Sequence, residues 1–270
     1  MGMLKVKDDS LFNAVLNWVY PQPCPVCNEI VQNENGICGE CRIKLIPVLG
    51  AICIKCGKSV EHKGISCEDC EGKQLCFERN ISAFVYESLL RRAIHGFKYS
   101  FNPYSASVFG KEMGMWLAKS EHSVFFAQHR SEFVVVSVPL HKARLKKRGY
   151  NQSEILAKEV AAALGIPFVR DCIIRTRNTV PQSEIRQINK RAENIKDAFL
   201  VVRPDVLKFK NVLIVDDIYT TGTTINELSK VVKEVSCKRI FTVTLAISSG
   251  RKQLDDDDWG NDRLSSIAGR

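Results

Sequence analysis

The sequence predicts an α/β fold, a parallel sheet flanked by helices and preceded by a small metal-held module. Three observations carry that expectation. Four cysteine pairs crowd the first 70 residues, β-branched runs alternate with amphipathic stretches beyond residue 81, and one such run ends in two aspartates and a hydroxyl-rich loop. Strands alternating with helices of this length call for crossover connections, and so for parallel pairing. With 270 residues, 45% hydrophobic and 26% charged, the chain has the makeup of a folded globular protein and the length for two domains. No apolar run approaches the ~20 residues that a bilayer crossing needs, so no membrane span is expected.

Taken in order, residues 1–20 predict an amphipathic helix. Leu11, Phe12, Val15, Leu16 and Val19 share one face, and Asp8 to Ser10 form a capping cluster. The segment lacks the continuous apolar core and small-residue cleavage site of a secretory signal, so a cytoplasmic protein with reduced thiols is expected.

Residues 21–78 hold Cys24/Cys27, Cys38/Cys41, Cys53/Cys56 and Cys67/Cys70, so that C-x2-C-x10-C-x2-C occurs twice. A C-x2-C turn presents two thiolates to one ion, and two such turns complete a tetrahedral four-sulfur shell, which predicts two structural zinc ions. Four thiolates close each site to substrate, so the metals hold the fold. A disulfide framework is disfavoured because nothing marks the chain for export. Pairing in sequence order is favoured, although an interleaved cross-brace uses similar knuckles. A stretch of ~50 residues poor in large apolar side chains cannot stabilise itself by burial alone, and metal supplies what is missing. Cys76, Cys172 and Cys237 stand apart and read as small buried hydrophobes.

From residue 79 to 249 the texture is that of the larger domain. Strands are predicted over 82–86, 133–138, 211–215 and 239–246, and helices over 89–99, 105–118, 151–164 and 222–235. The run FVVVSV from Phe133 and the run NVLIV from Asn211 are nearly continuous in apolar residues, as in strands buried on both faces. The helix from Asn151 stops at Gly165 and Pro167. Residues 250–270 contain four consecutive aspartates and no apolar period, and read as a flexible acidic tail.

The stretch VLIVDDIYTTGTT, Val212 to Thr224, carries the chemistry. Parallel sheets bind ligands beyond the carboxyl ends of their strands. Asp216 and Asp217 there need partners, such as sugar hydroxyls or a metal-bound water, to offset the loss of hydration. Thr220, Thr221, Gly222, Thr223 and Thr224 offer hydroxyls, backbone amides and a helix amino terminus around one point, which suits a phosphate. No lysine follows the glycine, so this is not a P-loop. The net charge of +9, from 39 Lys and Arg against 30 Asp and Glu, makes a polyanion a plausible partner; HKARLKKR, His141 to Arg148, packs five of those cations into eight positions.

These residues resemble the phosphoribosyl pyrophosphate (PRPP) motif of type I phosphoribosyltransferases. PLHKARLKKRGYNQ from Pro139 to Gln152, the stretch from Arg175 to Phe199, and the cysteine knuckles ahead of them are together similar to the ComF family. The resemblance implies a type I phosphoribosyltransferase-like parallel sheet flanked by helices, preceded by a small four-cysteine zinc-ribbon domain. It implies that Asp216 and Asp217 receive the ribose hydroxyls and that Thr220 to Thr224 hold the 5′-phosphate. Leu140, His141, Arg144 and Arg148 would face pyrophosphate, with Mg2+ held by ligand oxygens and water. Arg175, Arg177 and Gln182 would belong to a mobile covering loop. For residues 183 to 194 the alternative is a solvated helix with an ordinary charged face.

The resemblance further implies PRPP binding with a role in DNA uptake and natural transformation, and single-stranded DNA bound through the zinc-ribbon and basic surfaces. A DNA-uptake helicase or other competence protein is a further partner. The alternative is a Mg-dependent phosphoribosyltransferase that releases pyrophosphate while modifying an unidentified acceptor. Purine-salvage relatives carry an aspartate where this chain has Thr220, which disfavours purine salvage. A glutaminase is not expected, because no nucleophilic cysteine follows Met1.

Overall fold

Along the chain of this computed structural model, α1 (Gly39–Ile43) closes the first cysteine cluster and β1 (Arg79–Val85) enters the sheet. Helices α2 (Ser88–Tyr99), α3 (Pro103–Lys119) and α4 (Ser123–Gln128) lead to β2 (Phe133–Ser137). Helices α5 (Lys142–Arg148) and α6 (Gln152–Leu164) follow, then β3 (Ile173–Arg175), α7 (Ile188–Ile195) and β4 (Phe199–Val201). Strand β5 (Asn211–Tyr219), helix α8 (Thr223–Glu234) and strand β6 (Ile240–Ile247) complete the domain. The structure describes residues 23–31, 36–62, 64–99, 102–180 and 188–248. The helix expected over residues 1–20, the tail over 250–270 and Gln182 lie outside them.

The main sheet has the order β1-β6-β5-β2, and every pairing in it is parallel. Strands β3 and β4 form a separate antiparallel pair. Side chains alternate across each strand. Leu213 and Val215 of β5 and Val135 of β2 face one core, with α2, α3 and α6. Val212 and Ile214, with Val134 and Val136, face the other, with α8. The two cysteine clusters divide in the same way: Cys24 and Cys41 belong to the first core, Cys53, Cys56 and Cys70 to the second.

Each cluster is tied to the sheet or its helices by polar contacts. Arg42 of α1 makes a two-pronged bond to Glu112 of α3, at 2.8 and 2.5 Å. Buried Asn80 on β1 donates to the Cys56 carbonyl at 3.0 Å and to Ser82 at 2.9 Å, while Thr242 on β6 donates to it at 2.8 Å. Both ends of the Asn80 amide are thus satisfied, which removes most of the penalty of its burial.

Several sequence expectations shift. Strand β5 runs on past Val215 to Tyr219, so the twin aspartates lie within it. The basic run, for which the sequence predicted no helix, forms helix α5. The His141 ring accepts the Ala143 amide at 3.2 Å to cap its start, and left-handed Gly149 at φ 78° ends it. Asn151 caps α6 instead of joining it. Of the three separate cysteines only Cys172 is fully buried; Cys76 and Cys237 are half-buried.

Candidate functional site

Helix α6 starts directly beneath the carboxyl end of β5, because Asn151 caps it and also donates to the Val138 carbonyl at 3.0 Å. That start brings Gln152 and Ser153 to the acids. Gln152 Nε2 donates to Asp217 Oδ2 at 2.9 Å, and Ser153 Oγ donates to Asp216 Oδ1 at 2.8 Å. Lys98 of α2 adds an ion pair to Asp217 Oδ2 at 2.9 Å. Asp217 is therefore met by a cation and an amide. Asp216 accepts from the Ser153 hydroxyl and the Asp217 backbone amide, yet burial, and then the neighbouring Asp217 charge, push its carboxyl up to about 7.

Both acids open on a cleft of about 390 Å3 at the end of the sheet. Thr220 reaches it from the loop after β5, Thr224 from the first turn of α8, Leu140, Arg144 and Arg148 from the chain after β2, and Arg175 from β3. Thr179 organises the arginines, its carbonyl accepting from Arg144 and its hydroxyl from Arg175. Arg175 is 8% exposed, and its Nε has no hydrogen-bond partner among the described residues. Burial, and then Arg144, lower its guanidinium to about 10. A buried donor without an acceptor is unfavourable, and an anion in the cleft would satisfy it.

The predicted residues do not all meet. Thr221, Gly222 and Thr223 line a neighbouring hollow of about 560 Å3, together with Lys73 and Gln74 of the zinc-ribbon region, so the threonine loop is a wall between two spaces. His141 serves as a helix cap, and exposed Arg177 bonds the Lys196 carbonyl. Gly222 sits at φ 74°, where an added Cβ would come 2.2 Å from the Tyr219 hydroxyl oxygen. The loop thus rests on Tyr219, whose hydroxyl pKa is raised by burial and by the thiols of the second cysteine cluster.

Lys98 and Ser153 carry no sequence expectation, and Gln152 appears only within a motif. The signal for Lys98 was present: Arg91, His95 and Lys98 recur at i, i+4 and i+7 on α2, on the face beside that of Leu90, Ile94 and Phe97. No local pattern shows that this face turns toward β5.

The cysteine clusters are complete. The Sγ atoms of Cys24, Cys27, Cys38 and Cys41 lie within 4.8 Å of one another, as do those of Cys53, Cys56, Cys67 and Cys70, so ligands group in sequence order and not as a cross-brace. Backbone amides of Lys55 and Cys67 donate to Cys53 Sγ at 3.4 and 3.3 Å. Burial alone would raise the Cys53 thiol, but such bonds favour thiolate and outweigh it, bringing the group down to about 7. Four converging thiolate donors fit a tetrahedral zinc ion.

Residues 15–71 match the double zinc ribbon domain family and residues 151–267 the phosphoribosyl transferase domain family. Competence protein F of Haemophilus influenzae is 27% identical over 218 residues, covering 79% of this chain and 91% of its own. The DNA utilization protein YhgH of Escherichia coli K12 is 28% identical over 211 residues, 78% of this chain and 90% of its own. Competence protein ComFC of Bacillus subtilis is 26% identical over 204 residues, 73% of this chain and 78% of its own.

Proposed function

Because the chain is a ComF-type protein, a double zinc ribbon joined to a phosphoribosyl transferase domain, we propose that it binds PRPP with Mg2+ and serves the uptake or use of DNA. The observation that supports PRPP is the convergence of Asp216, Asp217, Thr220, Thr224, Arg144, Arg148 and Arg175 on one cleft. In this reading the aspartates accept hydrogen bonds from the ribose hydroxyls. Thr220, Thr224 and the amino end of α8 hold the 5′-phosphate. The arginines after β2 face pyrophosphate, and Arg175 gains the acceptor that its Nε lacks. Mg2+ bound with the ligand would neutralise part of the pyrophosphate charge; the chain's residues supply position and field. Two zinc ions on the eight cysteines fasten the ribbons to opposite faces of the sheet.

Isothermal titration with PRPP, with and without Mg2+, tests the cleft. Saturable Mg-dependent binding is expected, weakened at least about tenfold in Asp217→Asn, which removes a charged acceptor. Absence of PRPP binding to the folded wild type removes the reading.

DNA is the second ligand, and helix α5 supports it. Arg144 and Arg148 turn to the cleft, whereas Lys142, Lys146 and Lys147 are exposed and available to a strand's phosphates. Among the described residues, Phe97 is buried and Tyr104 and Tyr150 are partly so, which leaves these three rings little face for stacking. Binding would therefore be mainly electrostatic. Replacing the three lysines by alanine should reduce the log-log salt slope for an oligothymidylate by about 2, at about 0.7 for each phosphate that is no longer neutralised. Salt-independent binding would count against this surface.

A transfer reaction is supported by the shape of the cleft, which continues past the aspartates to Tyr86 and Ser248. Pyrophosphate release from PRPP and Mg2+ on addition of an acceptor is its assay.

A further inference from the structure

The cleft has a basic end that PRPP does not use. In sheet order, β5 with its aspartates lies between β2 on one side and β6 and β1 on the other. Leu140, Arg144 and Arg148 follow β2, and Arg175 is bridged to His141, so this set stands at the β2 end. At the far end Tyr86 follows β1 and Ser248 follows β6, and the Arg91 guanidinium lies over the Tyr86 ring, 5.6 Å from its centroid. Helix α2 runs from that end to the acids. Arg91, His95 and Lys98 share one of its faces and all line the cleft, and the helix has no acidic residue.

Charge sharpens the point. Among the described residues that line the cleft, Arg91, Lys98, Arg144, Arg148, Arg175 and Arg191 outnumber the two carboxylates. Lys98 is committed to Asp217. A 5′-phosphate belongs to the threonine loop and pyrophosphate to the β2 end, so neither group of PRPP faces Arg91 and His95. Cations gathered in a cleft with low-dielectric walls raise the local concentration of anions.

We propose that the β1 end of the cleft, formed by Arg91 and His95 with Tyr86, is the subsite of a second substrate, and that this substrate is a small anion: a nucleophile bearing a carboxylate or phosphate group. The inference rests on the PRPP reading above. The whole cleft, PRPP site included, measures about 390 Å3, at the low end of small-molecule sites, so the part left to a second ligand suits a small metabolite. In the transfer, the acceptor's lone pair forms a bond to the anomeric carbon of the ribose. The bond from that carbon to pyrophosphate breaks, pyrophosphate leaves with the electron pair, and the acceptor's proton passes to solvent. The anionic group of the acceptor, held at α2, fixes which atom faces that carbon.

The test is a titration of the full chain with inorganic phosphate after saturation with PRPP and Mg2+, followed by 31P NMR. One further phosphate per chain is expected, and Arg91→Ala should weaken it about tenfold, the effect of removing one charge-assisted bond. His95→Gln, at an exposed side chain, should weaken it as well and guards against misfolding of the first variant. PRPP affinity is measured in parallel for both. Three results would overturn the subsite: no phosphate bound by the loaded wild type, binding indifferent to both variants, or PRPP affinity abolished along with phosphate binding, which would assign these residues to PRPP itself. Displacement of the phosphate by oligothymidylate would overturn the small-molecule assignment. Failure of the wild type to take PRPP at all would instead remove the reading on which the subsite rests, and is seen at the loading step.

Discussion

Asp216 shows how one side chain can set a pH dependence. In the unfolded chain it ionises near its ordinary 3.8, but in the fold burial and Asp217 push it up to about 7. Between those values the folded protein keeps a proton that the unfolded chain has released, so this group's contribution to stability falls as pH rises from about 4 to 7. Above that range the whole penalty is present. Asp216→Asn should therefore be more stable than the wild type by on the order of 1–3 kcal/mol at pH 8 and equal to it near pH 4. Urea denaturation at the two pH values checks this, and an unchanged difference between them would contradict the assignment. One residue away, Asp217 is bonded to Lys98 and Gln152.

At the scale of elements, the site depends on how closely α6 can approach α3. Gly110 and Gly114 of α3 make that approach possible. A Cβ at Gly114 would lie 2.7 Å from the Ala163 Cβ and 3.2 Å from the Glu159 carbonyl oxygen. Gly114→Val should push the helices apart and destabilise the protein by about 2–3 kcal/mol, the usual result of overfilling a packed interface. Because α6 carries Gln152 and Ser153 to the acids, PRPP affinity should fall in the same variant even where it remains folded. Thermal denaturation and calorimetry read the two effects separately. Helix α5 divides its labour in a similar way, with arginines one turn apart toward the cleft and lysines toward solvent.

For the whole molecule, the ribbons act as clamps on the two faces of one sheet. The second reaches the threonine loop, since Lys73 and Gln74 line a hollow with Thr221, Gly222 and Thr223, and Tyr219, under that loop, feels the thiols of the cluster. Elemental analysis should find two zinc ions per chain. A strong chelator should lower the melting temperature, because metal binding in such modules is coupled to folding. A Cys56→Ser variant should weaken PRPP binding more than Cys27→Ser, whose ligand sits in the exposed rim of the first cluster. Equal effects would mean that the second ribbon does not support the loop.

The sequence alone determined the four cysteine knuckles, the parallel sheet and the position of the acids near a strand end, while the grouping of the knuckles into two sets was decided by the tertiary structure. The first three are written at short range: C-x2-C spacing, β-branched runs, and a change of period at Thr223. Short-range pattern could not show that the basic run is a helix, because its caps are a histidine ring and a left-handed glycine. Nor could it show that Lys98, Gln152 and Ser153 meet the aspartates. Those bonds join residues 63 to 119 positions apart, and only the crossing of α2 and α6 over the end of β5 brings them within bonding distance. Tertiary structure also divided the threonine loop between two hollows, because the side on which a hydroxyl emerges depends on the packing of Gly222 against Tyr219.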